Sequence, residues 1–263
     1  QNTNNPDDIN KDESIQISLV GDTKLTIDQL IKTIKEKTKN KGFGDLEKIA
    51  SKVKAIKESW LAEWHDSLNS EEEPITYYRV IEEINKNLDL ENSIVTHDAG
   101  APRDTIVPFF SATTAHSYIG WGKTTHLGFG IPLMIGAKIA QPEKFCLNLM
   151  GDGAFGMSGT DIETAARSGA AITTVLLNNS AMATYSGPLQ DTIGEEARNR
   201  YGVSTMHGDY AKIAEGMGAI GIKVNKPGDI GPALKEAQVH NKKGKTVLIE
   251  VQANIAQRRS KFQ

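Results

Sequence analysis

The sequence contains a carboxylate and a carboxamide that each follow a short apolar segment. Asp152 lies in the glycine-rich stretch 151–156 (GDGAFG), directly after the apolar run 145–150 (FCLNLM). Asn179 comes shortly after the run 172–177 (ITTVLL). Apolar, β-branched runs of this length predict buried strands. Carboxylate and amide oxygens are the ligands that hard cations such as Mg²⁺ or Ca²⁺ prefer, so this pair indicates a metal site.

The segment between the two runs predicts a crossover helix. Thr160 is followed three residues later by Glu163, which is the pattern of a capping box, and Gly169 is placed to end the helix. A strand, a crossover helix and a second strand form a right-handed parallel unit. We therefore expect both polar turns at the carboxyl edge of a parallel sheet, where open α/β sheets bind their ligands.

The stretch 151–156 also matches the dinucleotide pattern GxGxxG, but two features argue against a nicotinamide site. That site has a turn without a carboxylate and an acidic residue about 20 positions further on. Here the turn carries Asp152, and the second run ends in Asn178 and Asn179. A carboxylate repels a diphosphate unless a cation lies between them, so we predict a metal-bridged diphosphate site. The alternatives are a nicotinamide-binding domain, or an Asp152 that only caps a helix beside an ordinary Asn turn.

The GDG motif followed at this separation by Asn-Asn resembles the thiamine diphosphate (ThDP) motif. Residues from about 15 to 256 resemble the C-terminal, diphosphate-binding part of acetolactate synthase-like enzymes. The resemblance implies ThDP and Mg²⁺ as cofactors. It implies three metal ligands: Asp152, Asn179 and the carbonyl oxygen of Ala181. The residues that it implies for cofactor binding are Gly100, Ala101, Thr125, Leu127, Gly151, Gly153, Ala154, Phe155, Asn179 and Met182.

The resemblance also suggests roles for the segment 125–127. The carbonyl of Thr125 would accept from the 4′-amino group of the cofactor, and Leu127 would support the bent cofactor. Many acetolactate synthases have Met at this position, and core packing is the alternative role for Leu127. His126 is a candidate proton donor, or else a structural histidine.

Other positions depart from the family pattern. Gly100 falls at the first of three turn residues that contact the diphosphate, but Ala101 and Pro102 replace the usual Gln and His. His97 and Arg103 flank this turn, as phosphate or substrate contacts or as surface residues. The substrate-facing positions are Thr184, Tyr185 and Pro188, near which biosynthetic acetolactate synthases usually carry Trp.

The resemblance implies an enzyme that decarboxylates a 2-oxo acid and forms or cleaves a C–C bond. Its activating glutamate lies in an N-terminal pyrimidine-binding domain of a neighbouring subunit, and no segment here resembles that domain. We therefore expect this chain alone to bind cofactor without turnover, and the assembly to be a homodimer or homotetramer. A non-catalytic assembly partner with the same fold is the alternative.

The predicted fold is a doubly wound parallel α/β sheet with helices on both faces. We expect residues 1–40 to be a strand-helix remnant of a central domain, 41–73 a helical linker, 74–256 the cofactor-binding domain and 257–263 a basic tail. Within the predicted helix 133–140, Gly136 and Ala137 would allow a close approach to the sheet.

The composition excludes several other classes of protein. The 263 residues have a net charge of −3, which gives no basic field for nucleic acid. The single cysteine, Cys146, allows no disulfide within the chain and fits a reducing cytoplasm. There is no apolar run long enough for a membrane span and no signal-peptide pattern. Because the sequence begins with Gln1, we expect a fragment or a processed chain.

Overall fold

The computed structural model describes residues 1–42, 44–120, 126–182, 194–202 and 205–255. The chain divides into two compact units, residues 1–63 and 64–263. Thr125, the substrate-facing positions Thr184, Tyr185 and Pro188, and the basic tail lie outside the described residues.

The first unit contains a small parallel ladder and two helices. Strand β1 (Asn2–Thr3) pairs with β2 (Leu19–Val20). Helix α1 (Thr23–Thr38) begins at Asp22, whose side chain accepts from the Leu25 N–H, and helix α2 spans Leu46–Glu63. Every residue of these two helices retains some solvent exposure.

The second unit is built on a six-stranded, fully parallel sheet. The strand order is β4-β3-β5-β6-β8-β7. The strands are β3 (Ser93–His97), β4 (Tyr118–Ile119), β5 (Phe145–Gly151), β6 (Thr173–Asn178), β7 (Ile220–Val224) and β8 (Val247–Gln252).

Helices cover both faces of this sheet, which confirms the predicted doubly wound α/β fold. The α-helices in the described part of this unit are α3 (His65–Leu68), α4 (Tyr77–Asn87), α5 (Ala101–Ile106), α6 (Gly130–Ala140), α7 (Asp152–Ser158), α8 (Asp161–Ser168), α9 (Glu195–Tyr201), α10 (Tyr210–Gly216) and α11 (Ile230–Lys242). Helices α6, α8 and α10 pack on one side of the sheet, and α4, α5 and α11 pack on the other.

Strand β5 shows why the sequence forms a sheet that is buried on both faces. Successive side chains of a strand point to opposite faces. Cys146 and Met150 belong to the core that includes Ile131 and Met134 of α6, whereas Leu147 alternates with them along the strand. All three strand residues are fully buried, which is typical of a central strand in a parallel sheet.

The crossover between β5 and β6 differs from its prediction in one respect. Residues 152–158 form helix α7, and α8 follows almost at once. Thr160 precedes α8 but makes no side-chain capping bond, so the predicted capping box is wrong. Its backbone is already helical (φ −63°, ψ −22°), whereas a capping residue has an extended backbone. The predicted helix end is confirmed, because Gly169 has a left-handed backbone (φ 69°).

The glycine that allows helix α6 to approach the sheet is Gly130. A Cβ atom on Gly130 would lie 2.2 Å from Oδ1 of Asn148, in the middle of β5. Gly136 is exposed, and a Cβ atom there would meet nothing within 4 Å. The predicted role of Gly136 is therefore wrong, because it lies on the solvent side of α6.

Candidate functional site

A cavity of about 130 Å³ lies where strands β3, β5 and β6 end. It brings together most of the residues predicted for metal and cofactor binding. The predicted residues that line it are Gly100, Ala101, Leu127, Gly151, Asp152, Gly153, Ala154, Asn179, Ala181 and Met182. Tyr77, Ala99, Pro102, Arg103 and Asp104 complete the lining.

Two predicted residues have a different environment. The Phe155 side chain is buried in the core, with its ring centroid 5.4 Å from that of Tyr210. His126 is exposed and is not among the residues that line the cavity.

Asp152 is the first residue of α7, and its side chain is buried. Oδ1 accepts a bond of 2.8 Å from the N–H of Gly153. Within the described part of the chain, Oδ2 is buried and has no hydrogen-bond partner. Burial raises the pKa of Asp152, although nearby backbone N–H groups, including that of Ala181, oppose the shift. A buried carboxylate with an unpartnered oxygen is suited to bind a cation.

Asn179 lies in the turn after β6, and both ends of its carboxamide are hydrogen-bonded. Oδ1 accepts from the N–H of Ala181 at 2.9 Å, and Nδ2 donates to the hydroxyl of Tyr77 at 2.5 Å. The amide of Ala181 also acts on the carboxylate of Asp152. The two side chains therefore face the same backbone amide and line the same cavity.

The backbone around Ala181 is held by contacts with Thr205 and Met206. Ala181 forms an isolated antiparallel bridge with Thr205, and the N–H of Met206 donates to the carbonyl of Ser180 at 2.9 Å. Ser180 has a left-handed backbone (φ 56°). These contacts fix the turn that carries Asn179 and the carbonyl of Ala181.

The chain matches a known family over the residues that form this site. Residues 98–251 match the model of the thiamine pyrophosphate enzyme, C-terminal TPP binding domain. TPP is another name for ThDP. The chain belongs to this family. The nicotinamide-binding alternative is not supported by this match.

The relatives of this TPP-binding domain include acetolactate synthases. The chain is 25% identical over 248 residues to a probable acetolactate synthase large subunit from Methanococcus aeolicus. This match covers 88% of the chain and 39% of the relative. The chain is also 28% identical over 223 residues to sulfoacetaldehyde acetyltransferase from Castellaniella defragrans, covering 77% of this chain and 36% of the relative. The chain thus spans about two fifths or less of the length of these relatives.

A solved structure shows the same fold. The thiamine diphosphate-dependent 4-hydroxybenzoylformate decarboxylase of Rhodococcus jostii RHA1 matches with a TM-score of 0.60 and 22% identity. The match covers 70% of this chain and 33% of that chain.

Asp98 connects two loops of the TPP-binding domain and was not among the residues predicted from the sequence. Its carboxylate is fully buried and accepts three backbone N–H groups, from Ala99 (2.8 Å), Gly128 (2.9 Å) and Gly130 (3.0 Å). Burial raises the pKa of Asp98, and these N–H groups oppose the shift. The residue joins the turn before α5 to the loop that carries Leu127. An aspartate directly after a buried strand is the sequence signal that could have revealed it.

Asn178 has a different function from Asn179. Its Nδ2 donates to Oε1 of Glu250 at 2.7 Å, and its Oδ1 accepts from the N–H of Ser180 at 3.1 Å. The other oxygen of Glu250 accepts from the N–H of Ala211 at 2.9 Å. The first asparagine of the pair therefore shapes the turn, and the second faces the cavity.

Arg103 supplies a positive charge at the cavity of the TPP-binding domain. Of the described residues that line the cavity, Arg103 is the cationic one, and Asp104 and Asp152 are the anionic ones. Its Nε donates to Oδ1 of Asp104 at 2.7 Å. Gly100 directly precedes α5 and has a φ of 82°, a backbone conformation that favours glycine.

His97 lies away from the cavity lining, inside the domain. Its side chain is buried, Nδ1 lies 3.1 Å from the carbonyl oxygen of Asp98, and its ring packs beside those of Tyr118 and Phe129. Burial lowers the pKa of His97, which favours the neutral imidazole.

Leu127 and Met182 contribute long apolar side chains to the lining of the site. Leu127 is partly buried against the core that includes Ile131 and also lines the cavity. Met182 lies over Gly153, where a Cβ atom would be 3.1 Å from the methionine methyl group.

The described residues contain no cluster of three or more His, Cys, Asp or Glu side chains that could hold a metal. A site formed by one carboxylate, one amide oxygen and one backbone carbonyl would not produce such a cluster. The described helices also include none that is long and apolar enough to cross a membrane.

Proposed function

We propose that this chain is the cofactor-binding part of a ThDP- and Mg²⁺-dependent enzyme of the acetolactate synthase type. Such an enzyme decarboxylates a 2-oxo acid and forms or cleaves a C–C bond. One observation carries the proposal: among the described residues, the buried carboxylate of Asp152 has an oxygen without a hydrogen-bond partner, in a cavity that it shares with Asn179.

The donor atoms present fit Mg²⁺. Asp152 and Asn179 provide side-chain oxygens, and the carbonyl of Ala181 provides a backbone oxygen, which together form the type of ligand set that hard cations take. A bound cation would also restore the ionised form of Asp152, which burial disfavours. The positive charge of the cation would offset the repulsion between the carboxylate of Asp152 and the diphosphate of the cofactor.

ThDP, when bound, supplies the thiazolium carbon that attacks the 2-oxo acid and stabilises the resulting carbanion. The described residues would position it. Leu127 would support the cofactor from the core side, and Arg103 would contact the phosphates in place of the side chains missing at Ala101 and Pro102. The roles of Thr125 and His126 at the pyrimidine ring, and of the substrate-facing positions Thr184, Tyr185 and Pro188, are part of this proposal.

The domain division is also proposed. We assign residues 74–256 to the ThDP- and Mg²⁺-binding domain, 41–73 to a helical linker and 1–40 to part of a central domain. We further propose that turnover requires a pyrimidine-binding domain, from the same enzyme or a partner subunit, in a dimer or tetramer. The enzyme would act on a small 2-oxo acid in the cytoplasm.

The experiment is a titration of the chain with ThDP, followed by tryptophan fluorescence, with Mg²⁺ and with EDTA. We expect saturable binding that requires Mg²⁺ and that is lost in Asp152→Asn. Asp161→Asn, which removes a carboxylate that does not line the cavity, is the matched control and should bind like the wild type. Binding that is independent of Mg²⁺, or that persists in Asp152→Asn, would contradict the proposal.

A further inference from the structure

The carboxamide of Asn179 has a complementary partner at each end. Its Oδ1 accepts from the N–H of Ala181 at 2.9 Å, and its Nδ2 donates to the hydroxyl of Tyr77 at 2.5 Å. The oxygen and nitrogen of a carboxamide are alike in size but opposite in hydrogen bonding, and only the oxygen can bind a cation. The orientation of this side chain therefore decides whether it can act as a metal ligand.

Tyr77 is well placed to hold that orientation. It is the first residue of α4, its side chain is buried, and it lies 102 positions from Asn179 in the sequence. Ile75, two residues before Tyr77, forms two backbone hydrogen bonds with the end of β8. Its N–H donates to the carbonyl of Gln252, and its carbonyl accepts from the N–H of Asn254, each at 2.9 Å. Because β8 is the sheet neighbour of β6, the start of α4 is tied to the strand beside the Asn179 turn.

The hydroxyl also lies at the site itself. Tyr77 and Asn179 both line the 130 Å³ cavity that contains Asp152. The same two residues also line a second cavity, of about 590 Å³, at the end of β8. Without the hydroxyl, the amide nitrogen would lose its partner, and the side chain could turn away from Asp152.

We propose that Tyr77 is a positioning residue for Asn179, and that its hydroxyl holds the carboxamide with Oδ1 available to the divalent cation bound by Asp152. The inference rests on the proposed function, because it assumes that Asn179 is a metal ligand. It assigns a role to a residue of α4, which lies far in the sequence from the segments that carry Asp152 and Asn179. Loss of such an outer partner of a metal ligand typically weakens metal binding by about 10–100-fold.

The test is Mn²⁺ binding to the full chain at saturating ThDP, measured from the electron paramagnetic resonance signal of free Mn²⁺. In Tyr77→Phe we expect Mn²⁺ affinity to fall by about 10–100-fold. The matched control is Tyr78→Phe, which removes a hydroxyl from the neighbouring buried tyrosine, a residue that does not line the smaller cavity. The control should bind Mn²⁺ within about twofold of the wild type, because it leaves Asn179 untouched.

A second comparison, made in the Asn179→Asp variant, separates a change in the orientation of this side chain from general damage to the fold. In Asn179→Asp the side chain ends in two equivalent oxygens. Either orientation presents an oxygen to the metal, so no hydrogen-bond partner is needed to fix the orientation. Adding Tyr77→Phe to Asn179→Asp should therefore weaken Mn²⁺ binding by less than about threefold, a non-additive result expected for coupled residues.

Each contrary result has a distinct meaning. Equal Mn²⁺ affinity in Tyr77→Phe and the wild type would overturn the inference alone, while leaving the cofactor assignment intact. An equal loss in both backgrounds would show that the hydroxyl acts only through the fold, and it would also overturn the inference. Absence of any Mn²⁺-dependent ThDP binding by the wild-type chain would overturn both the inference and the proposed function.

Discussion

Glu250 accepts a 2.7 Å hydrogen bond from Nδ2 of Asn178, and through it β8 controls the shape of the turn that follows β6. The two residues are buried and lie 72 positions apart in the sequence. Asn178 in turn accepts from the N–H of Ser180, which holds that residue in its left-handed backbone. The turn that presents Asn179 to the cavity is thus supported from a neighbouring strand as well as by its own sequence.

Glu250→Gln should destabilise the domain. Both carboxylate oxygens accept hydrogen bonds, one from Asn178 and one from the N–H of Ala211. A carboxamide can accept at only one end, so one buried donor would face another donor, at a cost of about 1–3 kcal/mol. Urea unfolding would measure the change in the free energy of unfolding. Glu236→Gln, at a side chain that is 56% exposed, is the control, and an equal effect in both variants would contradict the prediction.

Asp98→Asn should weaken both the fold and cofactor binding. The carboxylate accepts three backbone N–H groups, and an amide nitrogen in place of one oxygen would leave at least one of them unpaired. We expect a loss of about 1–3 kcal/mol in the free energy of unfolding. ThDP affinity should fall as well, because Asp98 joins the loop of Leu127 to the turn of Gly100. Unfolding by urea and ThDP titration would be compared with Asp66→Asn, a change at a fully exposed side chain. Wild-type behaviour of Asp98→Asn in both assays would refute this role.

The sequence was sufficient to predict the parallel sheet and the placement of Asp152 and Asn179 at one edge of it, because both depend on local patterns. The apolar runs before Asp152 and Asn179 are buried strands, and their turns line one cavity. The contacts of Asp98, Glu250 and Tyr77 were not predictable in the same way. Their long-range hydrogen bonds join residues 30 to 102 positions apart, and only the packing of the sheet brings these partners together.

The capping box and the close-packed glycine show a second limit of local patterns. Thr160 followed by Glu163 has the right residue types, but α7 precedes it so closely that its backbone is already helical. Gly130 and Gly136 both lie on α6, and the close approach to the sheet was predicted from the sequence at Gly136, which is the wrong one of the two. The structure places Gly130 against Asn148.

Gly130→Ala and Gly136→Ala should therefore have opposite effects. A Cβ atom on Gly130 would lie 2.2 Å from Oδ1 of Asn148, so the buried side chain of Asn148 must shift, at a cost of about 1–3 kcal/mol. At the open position of Gly136, alanine should stabilise the helix by about 0.5–1 kcal/mol, because it restricts the unfolded chain. Urea unfolding of the two variants beside the wild type measures both signs. Destabilisation by Gly136→Ala comparable to that by Gly130→Ala would disprove this assignment of the two faces.

The raised pKa of Asp152 predicts how stability depends on pH when no divalent cation is present. Burial makes the folded state hold the proton of this carboxyl more tightly than the unfolded chain does. Between the ordinary pKa of an aspartate, about 4, and the raised value, the folded state binds more protons, so its stability falls as pH rises. Below that window the two states are equally protonated, and the effect disappears.

Asp152→Asn removes this titration. In EDTA, as pH rises from about 4 to 7, the wild type should therefore lose stability relative to the variant. Urea unfolding at each pH measures the difference. Adding Mg²⁺ and ThDP at pH 7 should stabilise only the wild type, because a ligand stabilises the folded state that binds it. A difference between the two proteins that stays constant with pH in EDTA would show that the carboxyl of Asp152 ionises normally in the folded chain.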